Sequence, residues 1–171
     1  MDIRTEAATS AQVKGAQTPP CAMVIFGSSG DLTRRLLMPA LYNLAKAGRL
    51  SPNLALIGVD RSQRSADEFR DYLAEGVRRF VSDTATGPVS EPFDEKTWEF
   101  LAQRLSRVDG DATDPATHRQ LAKALDAAAA QYHTGGNVLF YLAVASQLFG
   151  PITEKLAEAG LTKEEKGYWR R

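Results

Sequence analysis

Ala22-Met-Val-Ile-Phe-Gly-Ser-Ser-Gly-Asp-Leu-Thr-Arg-Arg-Leu-Leu-Met38 is the stretch whose reading decides the fold. It opens as a short apolar run, Ala22 to Phe26, behind Pro19-Pro20, which is the pattern of a buried strand. Gly27 and Gly30 follow, and then an apolar stripe at helical spacing: Leu32, Leu36, Leu37, Ala40, Leu41 and Leu44. Strand, glycine turn and helix together make the arrangement that holds a dinucleotide pyrophosphate. Gly27 permits the tight turn, and Gly30 puts no side chain between the backbone and a phosphate. The amides and positive end of the new helix then face the anion. Ser28 and Ser29 offer hydroxyl donors beside them, and Asp31 and Leu32 open the helix. No Gly-Lys-Ser/Thr follows, which argues against a P-loop, and a second glycine step of the kind other reductases carry fails at Thr33.

The chain around this stretch has 171 residues, enough for one domain with a real core. Its formal net charge is zero, which gives no support for a nucleic-acid surface or an anionic membrane as partner. No apolar run reaches the length of a membrane span, and Met1 to Thr18 lacks the hydrophobic segment of a secretory signal. Residues 1–20 read as a flexible leader before a domain over 21–171. Cys21 is the one cysteine, so no intrachain disulfide or cysteine metal site can form; it reads as a small buried apolar residue in a protein of the reducing cytoplasm.

Beyond the turn, the first helix is expected to run to about Ala47, with Gly48 as its stop and Pro39 kinking it or freeing a carbonyl near Arg35. Leu54 to Val59 is a second buried strand ending at Asp60-Arg61-Ser62. The tip of the second strand is where such folds meet the adenine ribose. Asp60 suits the 2′-hydroxyl of NAD; Arg61 suits the 2′-phosphate of NADP through a fork of charged hydrogen bonds, with Arg64 as added charge or as part of a solvated turn. Ser65 to Glu68 forms a capping box, ahead of Phe69, Tyr72, Leu73, Val77 and Phe80 at helical spacing. Asp83 to Pro92 reads as a surface loop. Asp94 caps another helix with Trp98, Leu101 and Leu105 on one face, and Arg107 to Asp111 is a short third strand. Asp109 and Asp111 are either a carboxylate pair for a metal or the flanks of a turn. Asp114-Pro115 starts an alanine-rich helix to Tyr132 whose apolar face is Leu121, Ala124, Leu125 and Ala128. His118 and His133 lack metal-ligand spacing and read as surface residues. Asn137 to Val144 is a continuous apolar strand, covered on both faces, and Phe149 to Leu156 a last helix stopped by Gly160.

The string Gly27-Ser-Ser-Gly-Asp-Leu32, continued by Leu36-Leu-Met-Pro-Ala-Leu-Tyr-Asn-Leu44, closely resembles the coenzyme fingerprint of glucose-6-phosphate dehydrogenases. The resemblance implies an α/β, Rossmann-like dinucleotide-binding domain with a mostly parallel sheet, incomplete at its C-terminal end, the substrate and catalytic domain being absent from the 171 residues. It implies NADP as coenzyme, NAD remaining possible, with Gly27, Ser28, Ser29, Gly30, Asp31 and Leu32 at the turn and Arg61 on the 2′-phosphate. It also places Asp111 and Ala112 near the adenine, a third reading of that acidic segment. The parent reaction would pass hydride from C1 of glucose 6-phosphate to NADP, giving 6-phosphogluconolactone. The family's two prolines after the F-Y-L-A segment are replaced by Ala145-Ser146, and Phe149 stands where some members have a coenzyme-contacting tyrosine. The family's later E-K-P-x-G and H-H-Y-x-G-K segments are not in the sequence, so no catalytic residue is assigned and the chain by itself is expected to be inactive. The rival reading is a non-catalytic nucleotide-binding or interaction module, built on an Asn137–Val144 strand whose edge is unpaired.

Overall fold

A computed structural model describes residues 16–83, 92–165 and 167–171. The expected alternation of strands and helices is present. β1 (Cys21–Phe26) leads through the glycine turn and a π-helical turn (Thr33–Leu37) into α1 (Met38–Lys46). There follow β2 (Leu54–Asp60), α2 (Ala66–Ser82), α3 (Glu95–Ala102), β3 (Leu105–Asp109) and α4 (Pro115–Tyr132). β4 (Val138–Leu142), a 3₁₀ turn (Ser146–Leu148) and α5 (Phe149–Glu158) complete the order. The sheet runs β3-β2-β1-β4 with every neighbouring pair parallel. Chain order reverses between β1 and β4, the switch point at which such sheets open a crevice.

Period-two alternation divides the two buried central strands between two cores. Met23, Ile25, Leu54 and Leu56 pack with Met38, Tyr42, Phe69, Leu73, Trp98 and Leu101 from α1, α2 and α3. Ala22, Val24, Phe26, Ala55, Ile57 and Val59 pack with Leu121 and Leu125 of α4 and Ile152 and Leu156 of α5. Each such large side chain contributes about 1.5–3 kcal/mol by leaving water. Cys21 is buried, and burial pushes its thiol pKa up, as expected of an inert apolar residue. The caps are the expected ones. Ser65 Oγ accepts from the Glu68 amide at 3.2 Å while Glu68 accepts from the Ser65 amide at 2.7 Å. Asp94 and Asp114 each accept an amide of their helix's second residue.

Several expectations are corrected. Of the expected stripe, Leu41 is buried and Leu37 packs half-buried on the core, whereas Leu32, Leu36, Ala40 and Leu44 face solvent and Thr33, Met38, Pro39 and Tyr42 are buried in their place. The cause is the π turn that ends in front of Pro39: its wider winding rotates the helix face relative to a 3.6-residue count. β3 begins at Leu105, not Arg107, because α3 closes at Ala102 and the Arg104 amide turns back on the Leu101 carbonyl at 3.0 Å. His118 is not a surface residue: it is buried, stacked on Phe26 with ring centres 6.0 Å apart. β4 is one of the two outer strands of the four, and Leu139 is exposed where a doubly covered strand was expected. Its outer edge is not open either. The Val138 and Phe140 amides donate to the carbonyls of Trp169 and Arg171 at 2.9 and 2.5 Å, and the Arg171 amide returns to Val138 at 2.8 Å. Of the leader, 1–15 lies outside the described residues; the Thr18 amide donates to the Arg49 carbonyl at 2.8 Å, tying its end to the α1–β2 turn. Most of the Asp83–Pro92 loop, 84–91, also lies outside the described residues.

Candidate functional site

A cleft of about 350 Å³ opens at the carboxyl ends of the strands. Gly27 lies in it just after β1, Val59, Asp60 and Arg61 at the end of β2, Gly110 to Thr113 after β3, and Val144 and Leu148 after β4. Gly27 has φ +80°, and a Cβ there would run into the carbonyl oxygen of Ala143. Glycine is therefore required twice over, by the left-handed backbone and by the close approach of the chain after β4. The Gly27 amide donates to the Val59 carbonyl, and its own carbonyl accepts from the Gly30 amide at 2.9 Å and the Thr33 hydroxyl at 3.0 Å. That closes the turn beside the cleft and leaves the first amides of the following helix, which have no acceptor within a helix, as the anion-binding groups of such a turn. The residues present thus fit a pyrophosphate.

The serines of the turn do something other than expected. Ser28 is buried, and its hydroxyl donates to Asp60 Oδ2, as does that of Ser29 at 2.7 Å. Asp60 Oδ1 accepts from the Ser62 amide at 2.7 Å and faces Arg107 at 3.4 Å. Burial by itself raises the Asp60 pKa; the Ser28, Ser29 and Ser62 hydroxyls and the Ser62 amide together outweigh it and hold the carboxyl below its ordinary value. Asp60 is thus an ionised structural carboxylate whose lone pairs are filled from within the protein. Gly58, two residues before it in β2, makes room for this: a Cβ there would lie 2.6 Å from the Ser28 hydroxyl.

Arg61 is different. Its side chain is 80% exposed and pairs with Asp111 Oδ2 across the cleft at 3.5 Å. Asp111 accepts from the hydroxyl and amide of Thr113, at 2.7 and 2.8 Å; these bonds, with the Arg61 charge behind them, lower its pKa against weak desolvation. Ala112 lines the cleft, and its carbonyl faces His118 Nε2 at 2.7 Å. So the structure brings Gly27, Arg61, Asp111 and Ala112 to one cleft, sets Ser28 and Ser29 behind its wall, and folds Gly30 onto Gly27. Asp31 and Leu32 do not line it: Asp31 pairs with Arg35 at 3.3 Å, and Leu32 is exposed at the helix start. Asp109 turns to Arg107, so the acidic pair Asp109 and Asp111 is split. Among the described residues no group of three His, Cys, Asp or Glu side chains is placed to hold a metal. Sequence reasoning missed Arg107, Thr113 and His118; the one available signal was a charged residue inside a strand bounded by buried Leu105 and Val108.

A second cavity, about 390 Å³, lies beside the π turn among Asp31, Arg34, Arg35, Gly76 and Arg79. Its arginines are paired, Arg34 with Glu75 at 2.9 Å, Arg79 with Glu75 and Arg35 with Asp31. It lies off the strand ends.

Comparison with known proteins agrees with this geometry. The family model described as glucose-6-phosphate dehydrogenase, NAD binding domain, matches residues 24–171. The chain belongs to the glucose-6-phosphate dehydrogenase family. Glucose-6-phosphate 1-dehydrogenase of Chlamydia muridarum is 36% identical over 149 residues, covering 87% of this chain and 28% of the relative. Glucose-6-phosphate 1-dehydrogenase 2 of Mycobacterium bovis is 36% identical over 152 residues, again 28% of the relative. Among solved structures, the Mycobacterium avium glucose-6-phosphate 1-dehydrogenase superposes with a TM-score of 0.69 at 32% identity, over 85% of this chain and 28% of that one. A glucose-6-phosphate dehydrogenase in complex with its substrate glucose-6-phosphate gives 0.72 at 25% identity, over 91% of this chain and 30% of that one. The chain therefore spans a little over a quarter of the length of these relatives, the part that carries the dinucleotide site of a glucose-6-phosphate dehydrogenase. Among the described residues no helix is long and apolar enough to cross a membrane.

Proposed function

We propose that this chain is the NADP-binding domain of a glucose-6-phosphate 1-dehydrogenase, over residues 21–171. The whole enzyme would oxidise glucose 6-phosphate at C1 and reduce NADP in the cytoplasm, in the oxidative branch of sugar-phosphate metabolism. The observation that carries the coenzyme choice is the contrast at the end of β2: Asp60 is turned inward and fully engaged, while Arg61 stands 80% exposed at the cleft. A carboxylate without free lone pairs is a poor acceptor for the ribose 2′-hydroxyl of NAD. An exposed guanidinium whose partner among the described residues is one ion pair at 3.5 Å can exchange Asp111 for a phosphate that carries about two charges. In this reading Gly27 and Gly30 bring the backbone to the pyrophosphate, with Ser28 and Ser29 holding the shape of the turn and Asp31 and Leu32 starting the helix behind it. Asp111 and Ala112 border the adenine. Bound NADP would accept the hydride; the residues of this chain hold and orient it, and none of them is assigned to proton abstraction or to the sugar phosphate.

The test is Arg61→Ala in calorimetric titrations with NADP and NAD. Loss of one charged hydrogen-bond fork should weaken NADP by about 10–100-fold and NAD by less than about threefold. Equal losses for both coenzymes would overturn the reading.

A further inference from the structure

Arg107 is a buried cation against the back wall of the cleft, its side chain 6% exposed and its guanidinium carbon 5.0 Å from the centre of the Phe69 ring. Nη1 donates to the Arg64 carbonyl at 2.5 Å. Nη2 faces the Ser62 carbonyl at 2.5 Å, the Ser62 hydroxyl at 3.1 Å, Asp60 Oδ1 at 3.4 Å and the Asp109 carboxylate. Burying such a charge is costly without partners, and its partners here all belong to the end of β2, the loop after it, or Asp109 on its own strand. β-register puts Arg107 beside Gly58, two residues before Asp60, so it reaches the loop from below.

The electrostatic problem at this spot is specific. A carboxylate at the end of the second strand favours a ribose 2′-hydroxyl and opposes a 2′-phosphate, since like charges a few ångströms apart repel. This chain keeps the carboxylate and places an arginine directly after it. We infer that Arg107 is a specificity-determining residue: it offsets the charge of Asp60 from inside the protein, so that a 2′-phosphate on Arg61 is repelled less by that carboxylate. The inference rests on the NADP reading above. Ser28, Ser29 and the Ser62 amide fill the lone pairs of Asp60 but bring no net charge. Arg107 brings a positive charge, which it shares with the largely exposed Asp109 carboxylate. The same fork holds the carbonyls of Ser62 and Arg64, which fixes the loop on which Arg61 rides.

A charge role and a merely structural role separate in a mutant cycle on the 171-residue chain, read as the ratio of NADP to NAD affinity by calorimetry, with folding checked by circular dichroism. Arg107→Gln should lower the ratio about tenfold, because Asp60 then faces the phosphate unneutralised. Arg107→Lys keeps the charge and loses the fork, and should stay within about threefold of wild type. Asp60→Asn added to Arg107→Gln should bring the ratio back to within about threefold of wild type. An unchanged ratio in Arg107→Gln, or a loss that Asp60→Asn does not repair, overturns the inference. Should Arg107→Gln not fold, Asp60→Asn alone decides: a shift under about threefold fits a carboxylate already neutralised, and a tenfold rise in NADP preference shows that it was not. The two readings fail separately. A wild-type chain without NADP preference, or Arg61→Ala striking both coenzymes equally, defeats the NADP reading; an Arg61-dependent preference indifferent to Arg107 defeats this inference alone.

Discussion

Gly58→Ala probes the joint between the glycine turn and the end of β2. The added Cβ would lie 2.6 Å from Ser28 Oγ, 2.7 Å from Ser28 Cβ and 3.0 Å from Phe69 Cζ. None of these atoms is the free end of a flexible chain. Phe69 is 1% exposed in the core, and Ser28 follows Gly27, whose amide is pinned to the Val59 carbonyl at 2.9 Å, while its hydroxyl is held by Asp60. Overpacking of a site that cannot yield costs about 1–3 kcal/mol. For a chain of this size that lowers the melting temperature by about 2–10 °C. Because the relief available is to push Ser28 and the turn toward the cleft, NADP affinity should fall along with stability. Differential scanning calorimetry and coenzyme titration on the same sample read both. A melting temperature within about 1 °C of wild type with unchanged affinity would refute the reasoning.

Removing the buried ring in His118→Ala leaves a cavity against Phe26 and the Ala112 carbonyl without its 2.7 Å partner, and should cost about 2–4 kcal/mol in urea unfolding; His118→Phe, which restores the stack alone, should fall between. Asp60 has a lowered pKa in the folded chain, so its contribution is complete above the unfolded carboxylate value of about 4 and is lost as pH falls through the lower folded value; urea midpoints should drop on acidification, and Asp60→Asn should flatten that drop. Deleting Trp169–Arg171 removes the carbonyls that take the Val138 and Phe140 amides, and those amides should exchange rapidly with deuterium while the amides of β1 stay protected.

The fold was legible because its strongest signals are local. The apolar runs 22–26 and 54–59, the capping residues Ser65, Asp94 and Asp114, and the stop at Gly48 each act within a few residues of themselves. The placing of Gly27 and Arg61 at the cleft was legible for the same reason: it follows from position in a strand–turn–helix unit. What was not legible depends on long-range pairing. A helical stripe counted at 3.6 residues per turn fails once five residues wind as a π turn before Pro39. His118 is a polar residue on a helix until α4 docks over Phe26. The engagement of Ser28 and Ser29 with Asp60 joins residues 31 and 32 positions apart, and Arg107 reaches Asp60 from 47 positions away. No periodicity records such pairs. They convert Asp60, by sequence the natural acceptor of an NAD ribose, into a structural group.

The measurement that bears most directly on the central claim is a calorimetric titration of the purified 171-residue chain with NADP and, separately, with NAD. The account predicts saturable binding of both, with NADP tighter by at least about tenfold. Binding of NAD as tight as NADP, or of neither by a folded and monodisperse sample, would contradict it.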